Sequence, residues 1–159
     1  MYPAPYSIEN FTGLLIFEIS GSDYCLNNII VSSILKPPFK LNKGNSSIKP
    51  NFSYLYGENS TVPLVDMEKI ITGTDHRTGS NSRIIIIDYN DEQFGLLVGR
   101  IKEIIALDAK FVTTSILYTP SKEIPKGDGA NYIDGTLEFE GRKLLLPSLE
   151  KIIQECGSL

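Results

Sequence analysis

Two short stretches of this chain are nearly the same. Met67-Glu68-Lys69-Ile70-Ile71 returns as Leu149-Glu150-Lys151-Ile152-Ile153 with four of five positions identical, and each copy follows an aliphatic run that contains or ends in proline. Upstream, Asp23-Tyr24-Cys25-Leu26 has a counterpart in Gln93-Phe94-Gly95-Leu96. Tyr24 precedes Met67 by 43 positions and Phe94 precedes Leu149 by 55, so an insertion of 12 in the later copy accounts for the difference. A duplication of this size predicts two similar small β barrels, each closing its own edges and each ending in a short helix.

The intervening residues read as short strands separated by turns. Gly13 to Ser20 is a strand-like run that stops at Gly21-Ser22-Asp23 and hands over to Tyr24-Cys25-Leu26, which is the pattern of a hairpin. Ile29 to Leu35 reads as a strand ended by Pro37 and Pro38, and Leu41 to Pro50 as a polar loop. Phe52–Tyr56 and Thr61–Val65 flank a four-residue loop, after which Asp66 can cap a helical turn over Met67–Ile71 that Gly73 ends. Thr72 to Ser82 is a second polar linker. Arg83–Tyr89 then turns at Asn90–Glu92 into Gln93–Ile105, with Gly95 and Gly99 marking bends or close backbone approach. Thr113 to Asn131 reads as a loop. Tyr132–Phe139 and Lys143–Leu146 form a last hairpin, and Ser148 caps a closing helix, Leu149–Cys156.

Composition narrows the function classes. Hydrophobic residues make up 42% and charged residues 21% of the 159 positions, as expected of a packed globular chain. The net charge is −4 and the basic residues are scattered singly, which argues against nucleic acid as a partner. Met1 to Asn10 has no basic start followed by an apolar run, and the longest aliphatic run, Ile84–Ile87, is far too short for a bilayer; the expectation is a cytoplasmic protein without membrane insertion. Four Asn-x-Ser/Thr triplets, at Asn10, Asn45, Asn51 and Asn59, follow from an Asn- and Ser-rich composition. Two distant cysteines, Cys25 and Cys156, and one histidine do not make a zinc site.

Three segments resemble CheW-like domains, the fold shared by the CheW adaptor and the regulatory domain of the CheA kinase. Val62-Pro63-Leu64-Val65-Asp66-Met67 resembles the family's Pro-hydrophobic-hydrophobic-Asp-Leu segment. Gln93 to Ile104 is similar to its Gly-Leu-Leu-Val-Asp-x-Val segment. Tyr132-Ile133-Asp134-Gly135, Gly141 to Leu146 and Glu150 to Ile153 resemble its last hairpin and helix. The matches fall in family order from Phe11 to Cys156.

The resemblance implies an all-β fold of two five-stranded SH3-like barrel subdomains with short helices. A tail of residues 1–12 would precede a domain at 13–156, its interleaved subdomains falling at about 13–72 and 83–156. It implies no catalytic residues, cofactor or metal, and a scaffold that couples the cytoplasmic tip of methyl-accepting chemoreceptors to the regulatory domain of a CheA-type histidine kinase. Ile30, Val31, Ile34, Val98 and Ile101 would line the receptor groove, and Tyr54, Tyr56, Glu58 and Asn59 would contact the kinase. The chain departs from the family at Tyr54-Leu55-Tyr56-Gly57, where Asn-Leu-Arg-Gly is usual. Gly99 and Ser148 stand where the family has Asp.

Other readings keep this fold in another pathway, such as surface motility, or make the chain a kinase-binding decoy. A small β-barrel enzyme or ligand-binding protein would need a deep polar pocket. Its only neutral-pH base would be His76, in the polar run Thr74–Gly79. The carboxylate pairs Asp66/Glu68 and Glu138/Glu140 read as a helix cap and a solvent face.

Overall fold

The computed structural model describes residues 11–37, 42–43, 52–56, 61–73, 79–107, 116–120 and 132–155. The expected hairpins form where turn chemistry places them. β1 (Gly13–Ile19) turns into β2 (Ser22–Asn27) through Ser20-Gly21, and the backbone at both turn residues has positive φ, 50° and 83°. The same two-residue turn recurs at Asn90-Asp91, between β7 (Arg83–Tyr89) and β8 (Glu92–Val98). It appears again at Glu140-Gly141, between β11 (Ile133–Phe139) and β12 (Arg142–Pro147). Paired positive φ values match the right-handed twist of the flanking strands, which is why such short loops suffice.

Between the first two hairpins run β3 (Val31–Leu35), β4 (Asn42–Lys43), β5 (Phe52–Tyr56), β6 (Thr61–Asp66) and helix α1 (Met67–Thr72). β9 (Arg100–Ala106) and β10 (Ile116–Pro120) follow β8, and helix α2 (Leu149–Glu155) follows β12. Asp66 caps α1, its Oδ1 accepting from the Lys69 N–H at 3.1 Å, and Gly73 closes the helix at φ 80°. Ser148 Oγ accepts from Lys151 N–H in the same way at 3.4 Å.

The strands make two six-stranded sheets, in the orders β10-β11-β12-β2-β1-β9 and β4-β5-β6-β8-β7-β3. Aligning the repeats maps one order onto the other, strand for strand. The sheets are the two subdomains, but neither is built from one half of the sequence. The first holds the N-terminal hairpin β1–β2 with the C-terminal strands β9–β12, and the second holds β7–β8 with β3–β6. Each half therefore lends its hairpin to the other. The two parallel pairings show it: Leu145, four residues before the second repeated helix, faces Tyr24, and Leu64, three residues before the first, faces Gly95. The strands of residues 13–72 and 83–156 are thus shared between the two sheets. Six strands form each sheet among the described residues.

This exchange explains why β1 and β7 are aliphatic without alternation. Each is buried on both faces, as continuous apolar runs require. Leu15, Phe17 and Ile19 of β1 and Ile85, Ile87 and Tyr89 of β7 face one shared core between the sheets. Leu14 and Ile16 face a second core inside the first sheet, and Ile84 and Ile86 a third inside the other. The shared core also takes Met67, Ile70 and Ile71 from α1 and Leu149 and Ile152 from α2, with Phe17 and Tyr24 stacked at 6.0 Å.

Local departures have local causes. Asn28–Ile30 is a turn of 3-10 helix rather than strand, because Asn27 Oδ1 accepts from the N–H groups of Ile29 (3.3 Å) and Thr12 (3.2 Å). Gln93 to Ile105 breaks into two strands at Gly99, whose N–H donates to the Glu18 carbonyl at 2.9 Å. β10 lies in the expected Thr113–Asn131 loop and β4 in the expected Leu41–Pro50 loop; both are edge strands.

A Cβ added at Gly99 would lie 2.8 Å from the Glu18 carbonyl oxygen. Gly99→Ala should therefore destabilise the chain by about 1–3 kcal/mol in urea unfolding. Asp91→Gly, at φ 66°, should instead raise stability, by up to about 1 kcal/mol.

Candidate functional site

The strand after each exchanged hairpin ends a sheet. β3 pairs only with β7, and β9 only with β1, among the described strands. Repeat alignment makes β3 and β9 equivalents, with Val31 matched to Ile101 and Ile34 to Ile104. Register turns these side chains toward the shared core: Val31 and Ile34 stand opposite Ile87 and Ile85, and Ile101 opposite Phe17. All three are partly buried and pack on that core, so each half presents an apolar rim of one seam.

The five residues expected in a receptor groove thus separate into two groups. Val31, Ile34 and Ile101 reach the surface from their edge strands. Ile30 and Val98 are core residues, 5% and 1% exposed, and support the rim from beneath. Reading by strand cannot separate the groups, because burial here depends on the opposite sheet. Among the described residues, the large apolar side chains most open to solvent are others: Ile29 and Ile104 at 56%, Leu117 at 60% and Leu35 at 40%. Three of these four flank the same two edges. Ile104 was legible as the repeat partner of Ile34.

The two rims differ in charge. β3, Val-Ser-Ser-Ile-Leu, carries none. β9 is laced to its neighbours by ion pairs: Arg100 with Glu18 at 3.6 Å, Lys102 with Asp23 at 3.0 Å and Glu103 with Arg142 at 2.7 Å. Exposed pairs add little stability. They do hold long side chains in place beside Ile101 and Ile104.

Of the residues expected to meet the kinase, Tyr54 and Tyr56 lie on β5, opposite Pro63 and Thr61. Glu58 and Asn59, like His76, lie outside the described residues. Asp66 is occupied as a helix cap, Glu68 accepts from the Ser20 hydroxyl at 3.1 Å, and Glu138 and Glu140 are exposed.

A cavity lined by Phe11, Leu26, Asn27, Ile30, Tyr89, Asp134, Leu146, Pro147 and Leu149 has a volume of about 20 Å³. That is room for one water, not a metabolite. No group of three or more His, Cys, Asp or Glu among the described residues could hold a metal ion. No helix among them is long and apolar enough to cross a membrane. Burial raises the Tyr24 phenol; burial and then the Asp134 charge raise that of Tyr118, whose hydroxyl donates to the Asp134 carbonyl at 3.3 Å.

With this geometry established, comparison with known proteins is decisive at the family level. The family model for the CheW-like domain matches residues 13–156. The chain belongs to the CheW-like domain family. Among solved structures, it is similar to the scaffolding protein TtCheW of Thermoanaerobacter tengcongensis, with a TM-score of 0.69 at 18% identity. The likeness covers 87% of this chain and 84% of that one and shows the shared fold. No curated protein matches the sequence. The CheW-like fold thus joins an apolar seam rim to two sheets that share one core.

Cys25 lies in the core of the first sheet, and burial pushes its thiol from 9.0 up to about 12. The raised value means the folded state disfavours the thiolate. Stability from this group is whole below pH 9 and falls as pH rises from 9 toward about 12, where the unfolded thiol ionises first. Urea midpoints of wild type and Cys25→Ala across that range should show the extra loss in wild type alone. Val98→Glu should cost about 3–5 kcal/mol by burying an unpaired carboxylate, which thermal unfolding will register.

Proposed function

We propose that this CheW-like chain is a non-catalytic adaptor that couples chemoreceptor tips to the regulatory domain of a CheA-type histidine kinase. The observation that carries the reading is the repeated edge: in each half, an apolar side chain rests on the common core while a neighbour stands open to solvent. An adaptor needs such half-satisfied apolar surface, ringed by polar groups, for partners that come and go.

The receptor site is assigned to Val31, Ile34 and Ile101, with Ile29, Leu35 and Ile104 added, and with Ile30 and Val98 as its support. A receptor helix hairpin would lay its apolar stripe along this rim. The kinase contact is assigned to β5 and the loop after it, through Tyr54, Tyr56, Glu58 and Asn59. There the usual family Arg is Tyr56, and a phenol cannot replace a planar cation in an ion pair. That departure favours a kinase partner whose matching surface is less acidic, or a CheW-like adaptor working in a different pathway.

Two experiments test the assignment. Ile104→Glu should stay within about 0.5 kcal/mol of wild-type stability because its side chain is already exposed. It should still weaken capture of a receptor-tip fragment at least tenfold in a pull-down titration; unchanged capture removes β9 from the site. Tyr56→Arg should raise affinity for the regulatory domain of a CheA-type kinase from the same cell. If neither version binds any such kinase, the coupling role falls and the fold stands.

A further inference from the structure

The exchanged hairpins have a consequence for how this chain meets a second copy of itself. Four strand pairings join the first half, residues 11–73, to the second, residues 79–155: β1 with β9, β2 with β12, β3 with β7 and β6 with β8. Among the described residues, no strand pairing in either sheet links β1–β2 to β3–β6, or β7–β8 to β9–β12. Each hairpin is thus attached to the rest of its own half by the chain and to the other half by its hydrogen bonds. The shared core follows the same rule, drawing Phe17, Tyr24 and Met67 from one half and Ile87, Phe94 and Leu149 from the other.

The chain crosses between halves once, between Gly73 and Gly79, and the flanking Thr72, Gly73, Gly79, Ser80 and Asn81 are exposed. Nothing in the four pairings requires that the two halves belong to one molecule. Closed monomer and exchanged dimer contain the same pairs and cores, and differ in which chain supplies each half and in association entropy.

We propose that the halves recognise each other between copies as well as within one, giving a half-exchanged dimer that holds two complete copies of the fold. In that dimer the edges each half pairs within the monomer are taken by the complementary half of a second chain, because the four pairings specify those edges strand by strand. Breaking four pairings is slow, so the dimer forms when concentrated unfolded chains refold, and it persists after dilution. The inference does not depend on what the β3 and β9 rims bind.

The test uses full-length chains carrying a protease recognition insert between Ser80 and Asn81. One copy bears an N-terminal affinity tag and the other a C-terminal tag. Nicking the monomer should leave a single particle of unchanged size that separates into fragments only in denaturant. Fragments that part in native buffer overturn the proposal. Co-refolding both copies at millimolar concentration should give a species of twice the monomer mass. On nicking, that species should fall to monomer size, with the tagged first half of one copy bound to the tagged second half of the other. A dimer joined through outer surfaces would instead keep twice the mass after nicking, and that result, or the absence of any such species, overturns the exchange. Should the insert disturb the turn in which the Ser82 N–H donates to the Gly79 carbonyl at 3.1 Å, the same insert after the exposed Gly73 replaces it.

Discussion

Hydrogen bonding between the two halves of the chain is the constraint on which the rest of this structure depends. β2 is satisfied on one side by its own hairpin partner and on the other by β12, from the far end of the sequence; β8 is placed between β7 and β6 in the matching way. A backbone edge left unpaired in the interior is costly, so neither hairpin can be completed by its own half. This is also why the core between the sheets is a joint product. Its apolar side chains come in repeat-related sets, and each set is covered by the other. Every fully buried Leu, Ile or Phe contributes about 1.5–3 kcal/mol relative to exposure, and in this core that gain exists only when both halves are in place.

The same constraint sets where surface is left over. A sheet that ends in β3 or β9 keeps one side of that strand without a partner among the described residues, and the core beneath has only partly consumed its side chains. Natural edges are commonly blunted with charge or proline. β9 obeys that rule with Arg100, Lys102 and Glu103, whereas β3 is neutral and is followed directly by a charge and a proline, Lys36 and Pro37. Two equivalent rims thus carry unlike chemistry on one shared core.

Much of the architecture was legible because it is local. The hairpins at Ser20-Gly21, Asn90-Asp91 and Glu140-Gly141, the Asp66 and Ser148 caps and the Gly73 stop all rest on interactions within a few residues. The repeat of Met67–Ile71 at Leu149–Ile153 likewise announced two equivalent units, and the strand-breaking Gly99 stood out as a place of close approach. Reading failed where the deciding group was remote or side-chain specific. Asn27 winds Asn28–Ile30 into a 3-10 turn by accepting two backbone N–H groups, one of them from Thr12 on a neighbouring segment. β10, inside a run read as loop, becomes a strand where β11 offers it an edge and the core takes Ile116 and Tyr118. Val98 and Val31 read alike in sequence. Only the opposite sheet makes one core and leaves the other at the rim.

What the amino-acid order determined by itself is therefore the set of parts: apolar runs of strand length, turns that tolerate positive φ, two capped helices, and a duplication pointing to the CheW-like family. Local backbone sterics and side-chain capping act over one to four residues, and one sequence suffices to read them. Which parts pair was decided by the tertiary structure alone. The two repeats carry nearly the same edges, so the order of residues does not distinguish pairing within a half from pairing across halves. The difference lies in joint burial: only the crossed arrangement covers both faces of β1 and β7 at once.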